Sequence, residues 1–180
     1  MTTARAGSRA TVLTRIALLA ATVAAGSAAA QTAIPPTPQD FAMAAAQSDQ
    51  YEIQAGYVAI TQSQDSRIRA YAQAMIDDHN RTSADLARAA TASGLPAPPP
   101  AMSSDQVSML AALQSLRGPD FDKAYVKQQV LAHQQALTVE RSFAEAGADA
   151  NLQAAARSTE PVIQHHLEMA QQIKAALGGS

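Results

Sequence analysis

The chain has 180 residues, with no cysteine or tryptophan, 4% aromatic residues and a formal charge of −2. The missing cysteine excludes disulfides, thiol redox chemistry and a lipoprotein anchor. Thirteen basic residues against fifteen acidic ones give no basic surplus of the kind that nucleic acid or an anionic membrane surface attracts.

The N-terminus reads as a secretory leader over residues 1–30. Arg5, Arg9 and Arg15 form its basic region, and "IALLAATVAA" from Ile16 to Ala25 is a short apolar run. Ala28 and Ala30 supply an A-x-A cleavage pattern, with Gln31 as the new N-terminus. No twin arginine is present, so the general secretory route is expected. The run falls short of the roughly twenty residues that span a bilayer, so no stable membrane span is expected after cleavage. The leader holds three basic and no acidic residues, leaving ten against fifteen and a charge of −5. Such a chain is expected in the periplasm, or associated with the outer membrane, of a Gram-negative-type bacterium.

Residues 31–38 read as an extended lead-in, and the remainder to residue 177 as one domain. Thr37 is a helix cap, Pro38 suits the first helical position, and Asp40 stands three residues after the cap. The first long helix is predicted to run to about Ser63. A second starts at Asp65 or Ser66 and ends at Ser93, where Gly94 stops it. "LPAPPP", residues 95–100, is a stiff extended loop. "SSDQ", residues 103–106, caps a short helix ending near Leu116. Gly118 and Pro119 are expected to break the chain before a third long helix, Asp120 to Ala146. Gly147 ends that helix, and Asp149 caps a fourth that continues to Leu177.

No strand pattern competes, so the fold class is all-α: an antiparallel four-helix bundle whose long helices each measure about 40 Å. The linker 94–118, carrying the short helix, can cover a bundle's length as a ferritin-style crossover, and plain up-down-up-down connection is the alternative.

Turning each helix at 100° per residue sorts its polar side chains. Glu52 shares the apolar face of Phe41, Ala45 and Ala59. His79 falls among Ile68, Ala72 and Met75, His133 among Val126, Val130 and Leu137, and His166 among Ile163, Ala170 and Ile173. Glu140 lies two turns beyond His133 on the same face. His165 turns outward, as do Asp77 and Asp78 of the "DDH" run. Counted from the hairpin turns, Glu52, His79, His133 and His166 lie within about 8 Å of one height in a crossover bundle.

"DFAMAAAQSDQYEIQAGYVAI", "IRAYAQAMIDDHNRTSADL", "FDKAYVKQQVLAHQQAL" and "PVIQHHLEMAQQI" together resemble the bacterial family known as domain of unknown function 4142. The resemblance covers about residues 39–174, and "A..M.DDH" and "P..Q.HL.MA" are its most specific parts. It implies an exported, ferritin-like bundle with the crossover connection and with recurring polar positions at Glu52, His79, His133 and His166. It implies no established activity.

Three imidazoles and a carboxylate suit a single Zn, Fe, Mn or Cu ion. Met75 and Met169, near His79 and His166, would tilt such a site towards copper, and Glu140 would stand in its outer shell. Methionine on a helix face is, however, more often core filler. A ferritin-like di-iron site needs Glu-x-x-His on two helices, whereas Ile76, Val130 and Ile163 precede these histidines by three. Nucleophilic catalysis is also disfavoured, since no serine stands in a recognisable elbow. Two readings without metal remain: a buried polar layer that fixes the register of a non-catalytic structural or stress-protective bundle, and a small-ligand or proton-coupled cavity. Pro161 removes a hydrogen bond inside the last helix and is expected to widen the core near His166. The sequence leaves a homo-oligomer open.

Overall fold

A computed structural model of the chain describes Met1 and residues 36–178. The predicted leader, its cleavage pair Ala30 and Gln31, and most of the lead-in lie outside the described residues. Five helices follow: α1 Pro38–Gln62, α2 Ser66–Ala92, α3 Ser104–Ser115, α4 Gly118–Ala146 and α5 Ala150–Gly178. No strand occurs among the described residues, and none of their helices is long and apolar enough to cross a membrane.

Local chemistry sets the helix ends. The Thr37 hydroxyl accepts from the Asp40 amide, and Asp65 accepts from the Arg67 amide. Ser103 and Gln106 form a reciprocal capping box on α3, and Asp149 accepts from the Leu152 amide at the head of α5. Gly94, at φ 74°, takes the left-handed conformation that turns the chain out of α2. The start of α4 differs from the sequence expectation. Gly118 and Pro119 do not precede the helix but form its first turn, where a missing N–H costs nothing. The helix therefore begins two residues before Asp120. Pro161 lies at an exposed position, and α5 continues through it as α-helix.

Turns of three residues join α1 to α2 and α4 to α5, so each pair is an antiparallel hairpin. The hairpins meet through α1–α4 and α2–α5 contacts, and α3 rests on α1 and α4. Cross-helix pairs fix direction. Phe41 stacks on Phe143, Glu52 meets Gln129, and Gln62 meets Arg117, so α1 and α4 are antiparallel. Asp78 meets His166 and Ser93 meets Asn151, so α2 and α5 are antiparallel too. Consequently α2 and α4 point the same way, and the chain from Gly94 to Gly118 returns along the length of the bundle, carrying α3 with it.

Alanine and glycine let α1 and α2 approach closely. A Cβ on Gly56 would stand 2.8 Å from Ile76 Cγ1 and 3.0 Å from the Ala72 carbonyl oxygen. The apolar interior forms two clusters. One is built around Phe41, Phe143 and Leu152; the larger holds Tyr71, Met75, Phe121 and Tyr125. Asp49, His79, Thr82 and Glu140 fall between them, each no more than 6% exposed. A buried polar layer thus divides the core, and polar groups removed from water there require partners.

Candidate metal centre

Three helices each send one histidine into this layer: α2 His79, α4 His133 and α5 His166, at 2%, 1% and 1% exposure. One nitrogen from each ring lies within 4.8 Å of the other two. Ring centroids are 5.3 to 5.7 Å apart.

An acceptor fixes each ring through one nitrogen. Nδ1 of His79 donates to Asp49 Oδ1 at 2.8 Å, and Nδ1 of His133 to the Gln129 carbonyl oxygen at 2.9 Å. Nε2 of His166 donates to Asp78 Oδ2 at 2.9 Å. In a neutral ring, a proton held on one nitrogen leaves the lone pair on the other. Those others are Nε2 of His79, Nε2 of His133 and Nδ1 of His166, all buried and without a hydrogen-bond partner among the described residues.

The surroundings shift the three rings in different directions. Burial works against a proton on His79, but the Asp49 hydrogen bond and charge outweigh it and raise its pKa above the ordinary histidine value. Burial, then the charge of His79, drives His133 well below the ordinary value and His166 down to about 4.

Glu52 stands beside the triad rather than within it. Its Oε2 accepts from Gln129 Nε2 at 2.6 Å, and its Oε1, without a hydrogen-bond partner, lies 3.7 Å from His133 Nδ1. That nitrogen is the one already donating to Gln129. Burial raises the Glu52 carboxyl to about 7. Glu140 is buried in the same layer with Oε2 unpartnered, and burial followed by the Asp49 and Glu160 charges pushes its pKa up to about 8. Met75 is fully buried in the larger apolar cluster and Met169 packs against it, which suits core filling. His165 is exposed. Ile76, Val130 and Ile163 are buried apolar residues one turn before the histidines, where a di-iron site would place carboxylates.

Sequence reasoning misplaced one residue and missed two. Asp78 is not a solvent-facing side chain: its carboxylate is one-quarter exposed and reaches across to His166 while also pairing with Arg81. Asp77 is exposed as expected. Asp49 was overlooked, though its one carboxylate accepts from His79, Thr82 and Ser83. Its spacing of three from Glu52 was the available signal, since residues three apart share a helix face. Gln129 was overlooked as well. It donates to Glu52, accepts from the Tyr71 hydroxyl at 3.0 Å, and offers its carbonyl to His133.

Two solved structures share the fold. CopM in its Cu(II)-bound form superposes with a TM-score of 0.67 at 16% identity, over 79% of this chain and 99% of that one. A DUF305 fragment from Deinococcus radiodurans gives 0.66 at 16% identity, over 82% and 100%. No curated protein matches the sequence. The family model described as Domain of unknown function (DUF4142) matches residues 23–173, and the chain belongs to that family.

Proposed function

We propose that the chain is an exported, ferritin-like helical bundle that holds one transition-metal ion at His79, His133 and His166, with Glu52 as the adjoining carboxylate. The observation that carries this reading is the convergence of three buried imidazoles, one nitrogen of each within 4.8 Å of the others, in rings that each hold one unpartnered nitrogen and anchor the other to an acceptor. Metal-bound histidine characteristically donates its second nitrogen to a carboxylate or a backbone carbonyl. Here two carboxylates and one carbonyl serve.

Metal–nitrogen bonds of about 2.0–2.1 Å in a tetrahedral array separate the nitrogens by about 3.4 Å. Nitrogens now within 4.8 Å of one another would have to close by about 1.4 Å to reach that spacing. Three imidazoles suit Zn and Cu, and carboxylate support keeps Fe and Mn in the set. The Cu(II) held by the structural neighbour CopM supports copper as the first ion to test.

The rival reading is a polar layer that only fixes register, without metal. The hydrogen bonds that Asp49, Asp78 and Gln129 accept favour it, since they already satisfy half of each ring. It leaves the three facing nitrogens and Glu52 Oε1 unpaired, at about 1–3 kcal/mol each. That cost favours an ion.

Elemental analysis of the mature protein decides between them, beside a variant with His79, His133 and His166 all changed to alanine. The metal reading requires close to one ion per chain in the wild type and none in the variant. Equal, sub-stoichiometric metal in both samples, with no thermal stabilisation by added Cu, Zn, Mn or Fe, sinks it.

A further inference from the structure

A triad sealed in a bundle core needs a way in. A cavity of about 210 Å³ opens between α1, α3, α4 and α5. Its lining includes Asp49, whose carboxylate accepts from His79, and Ile163, one turn before His166, so it reaches the group that anchors the histidine layer. Gln106 and Met109 of α3 form part of its rim, and α3 is fastened there by Gln128 Nε2 donating to the Met109 carbonyl.

Two carboxylates line this cavity, Asp49 and Glu140, and the same two line a narrower pocket reaching Thr82 on the far side. Glu140 is only 5% exposed, and its Oε2 has no hydrogen-bond partner among the described residues. An unpartnered carboxyl oxygen buried this deeply is costly to keep unless something positive uses it. Asp49 stands one step further in, already bonded to His79.

We propose that this cavity is the entrance through which a hydrated divalent transition-metal cation reaches the histidine triad, with Glu140 and Asp49 as successive carboxylate contacts. The proposal rests on the metal reading above and adds its route. Glu140 exchanges its proton for the arriving cation, and the proton leaves to water through the open cavity. Asp49 then guides the ion past the edge of the His79 ring. The roof places α3 over the mouth, which gives the crossover segment a part in metal traffic.

Loading kinetics test the route. Zn²⁺ or Cu²⁺ alone is mixed with the folded mature chain in stopped flow, and a competing chromogenic chelator reports both rate and equilibrium affinity. Glu140→Gln keeps the shape and removes the carboxyl that gives up its proton to the cation, and loading is expected to slow about tenfold. Equilibrium affinity is expected to change far less, because the triad is intact. Ala44→Phe, at an exposed position on the cavity wall, narrows the mouth without touching a carboxylate and is expected to slow loading as well. Circular dichroism confirms that both variants are folded. Wild-type loading rates in both variants overturn the entrance while leaving the triad as the site. Absence of any bound ion in the wild type overturns the metal reading, and the entrance with it.

Discussion

At Glu140 the burial of one carboxyl group shapes how stability responds to pH. Its pKa is about 8 in the folded chain against 4.5 as a free side chain. Between those values the folded state binds the proton more tightly, so this group's contribution to stability is full below about 4.5 and is lost as pH rises towards 8. Glu140→Gln is expected to remove that slope and to stabilise the protein at pH 8 by several kcal/mol, at about 1.4 kcal/mol per unit. His166 acts in the opposite sense, because its pKa falls from 6.5 to about 4 and its contribution is lost on acidification through that window. Urea titrations of wild type and variant across this range isolate the Glu140 part by difference, and parallel curves would refute the assignment. Asp78 makes a second case. Asp78→Ala is expected to weaken metal binding by about 10–100-fold through loss of the hydrogen bond that orients His166. The loss also leaves a buried His166 nitrogen without its acceptor, so stability is expected to fall by about 1–3 kcal/mol, and unaltered affinity would remove the orienting role. The inward turn of the three histidines was legible in the sequence, because helical periodicity alone places them among Ile, Val and Leu. The partners Asp49 and Asp78 were not. A single helix shows the angle at which a side chain leaves it, but not which neighbouring helix closes over that edge. The same holds for Glu52, whose bond to the Gln129 amide comes from α4.

Each helix boundary follows from a few residues, and those were readable one at a time. Thr37, Asp65, Ser103 and Asp149 cap where a short oxygen-bearing side chain precedes an alanine-rich run. The start of α4 was the exception, because Pro119 stops a helix that reaches it from behind but suits one that begins there. How closely two helices approach is harder to read. Gly56 looks like a weak point in α1, yet a Cβ there would press on Ile76 and the Ala72 carbonyl of α2. Gly56→Ala is expected to lower stability by about 1–2 kcal/mol, since overpacking against the Ala72 carbonyl and Ile76 exceeds the helix-propensity gain of about 1 kcal/mol. A higher melting temperature would show that the helices can separate at little cost. Pro161 sits on the exposed side of α5, and Pro161→Ala is expected to stabilise by up to about 3 kcal/mol by restoring a helical hydrogen bond. If the proline also shapes the space near His166, the same variant alters metal affinity, and unchanged stability and affinity would leave it without either effect.

Across the whole molecule, an ion that binds only the folded chain raises apparent stability by about 2.7 kcal/mol at a hundredfold excess over Kd. A melting temperature indifferent to added metal would contradict the proposed centre. Export is checked separately. The mature protein is expected to begin at Gln31, which the mass of the chain recovered from the periplasm decides. The arrangement of the two hairpins joins these points. The α1–α2 hairpin holds His79, and the α4–α5 hairpin holds His133 and His166, joined only by the long return through α3. Neither half can assemble the set by itself, so tight binding waits until the halves dock. A chain threaded across a membrane before it folds would carry no preformed site through the cytoplasm. Its metal would then be chosen by the ions present where folding finishes, and the same polypeptide folded in two compartments could leave them with different ions.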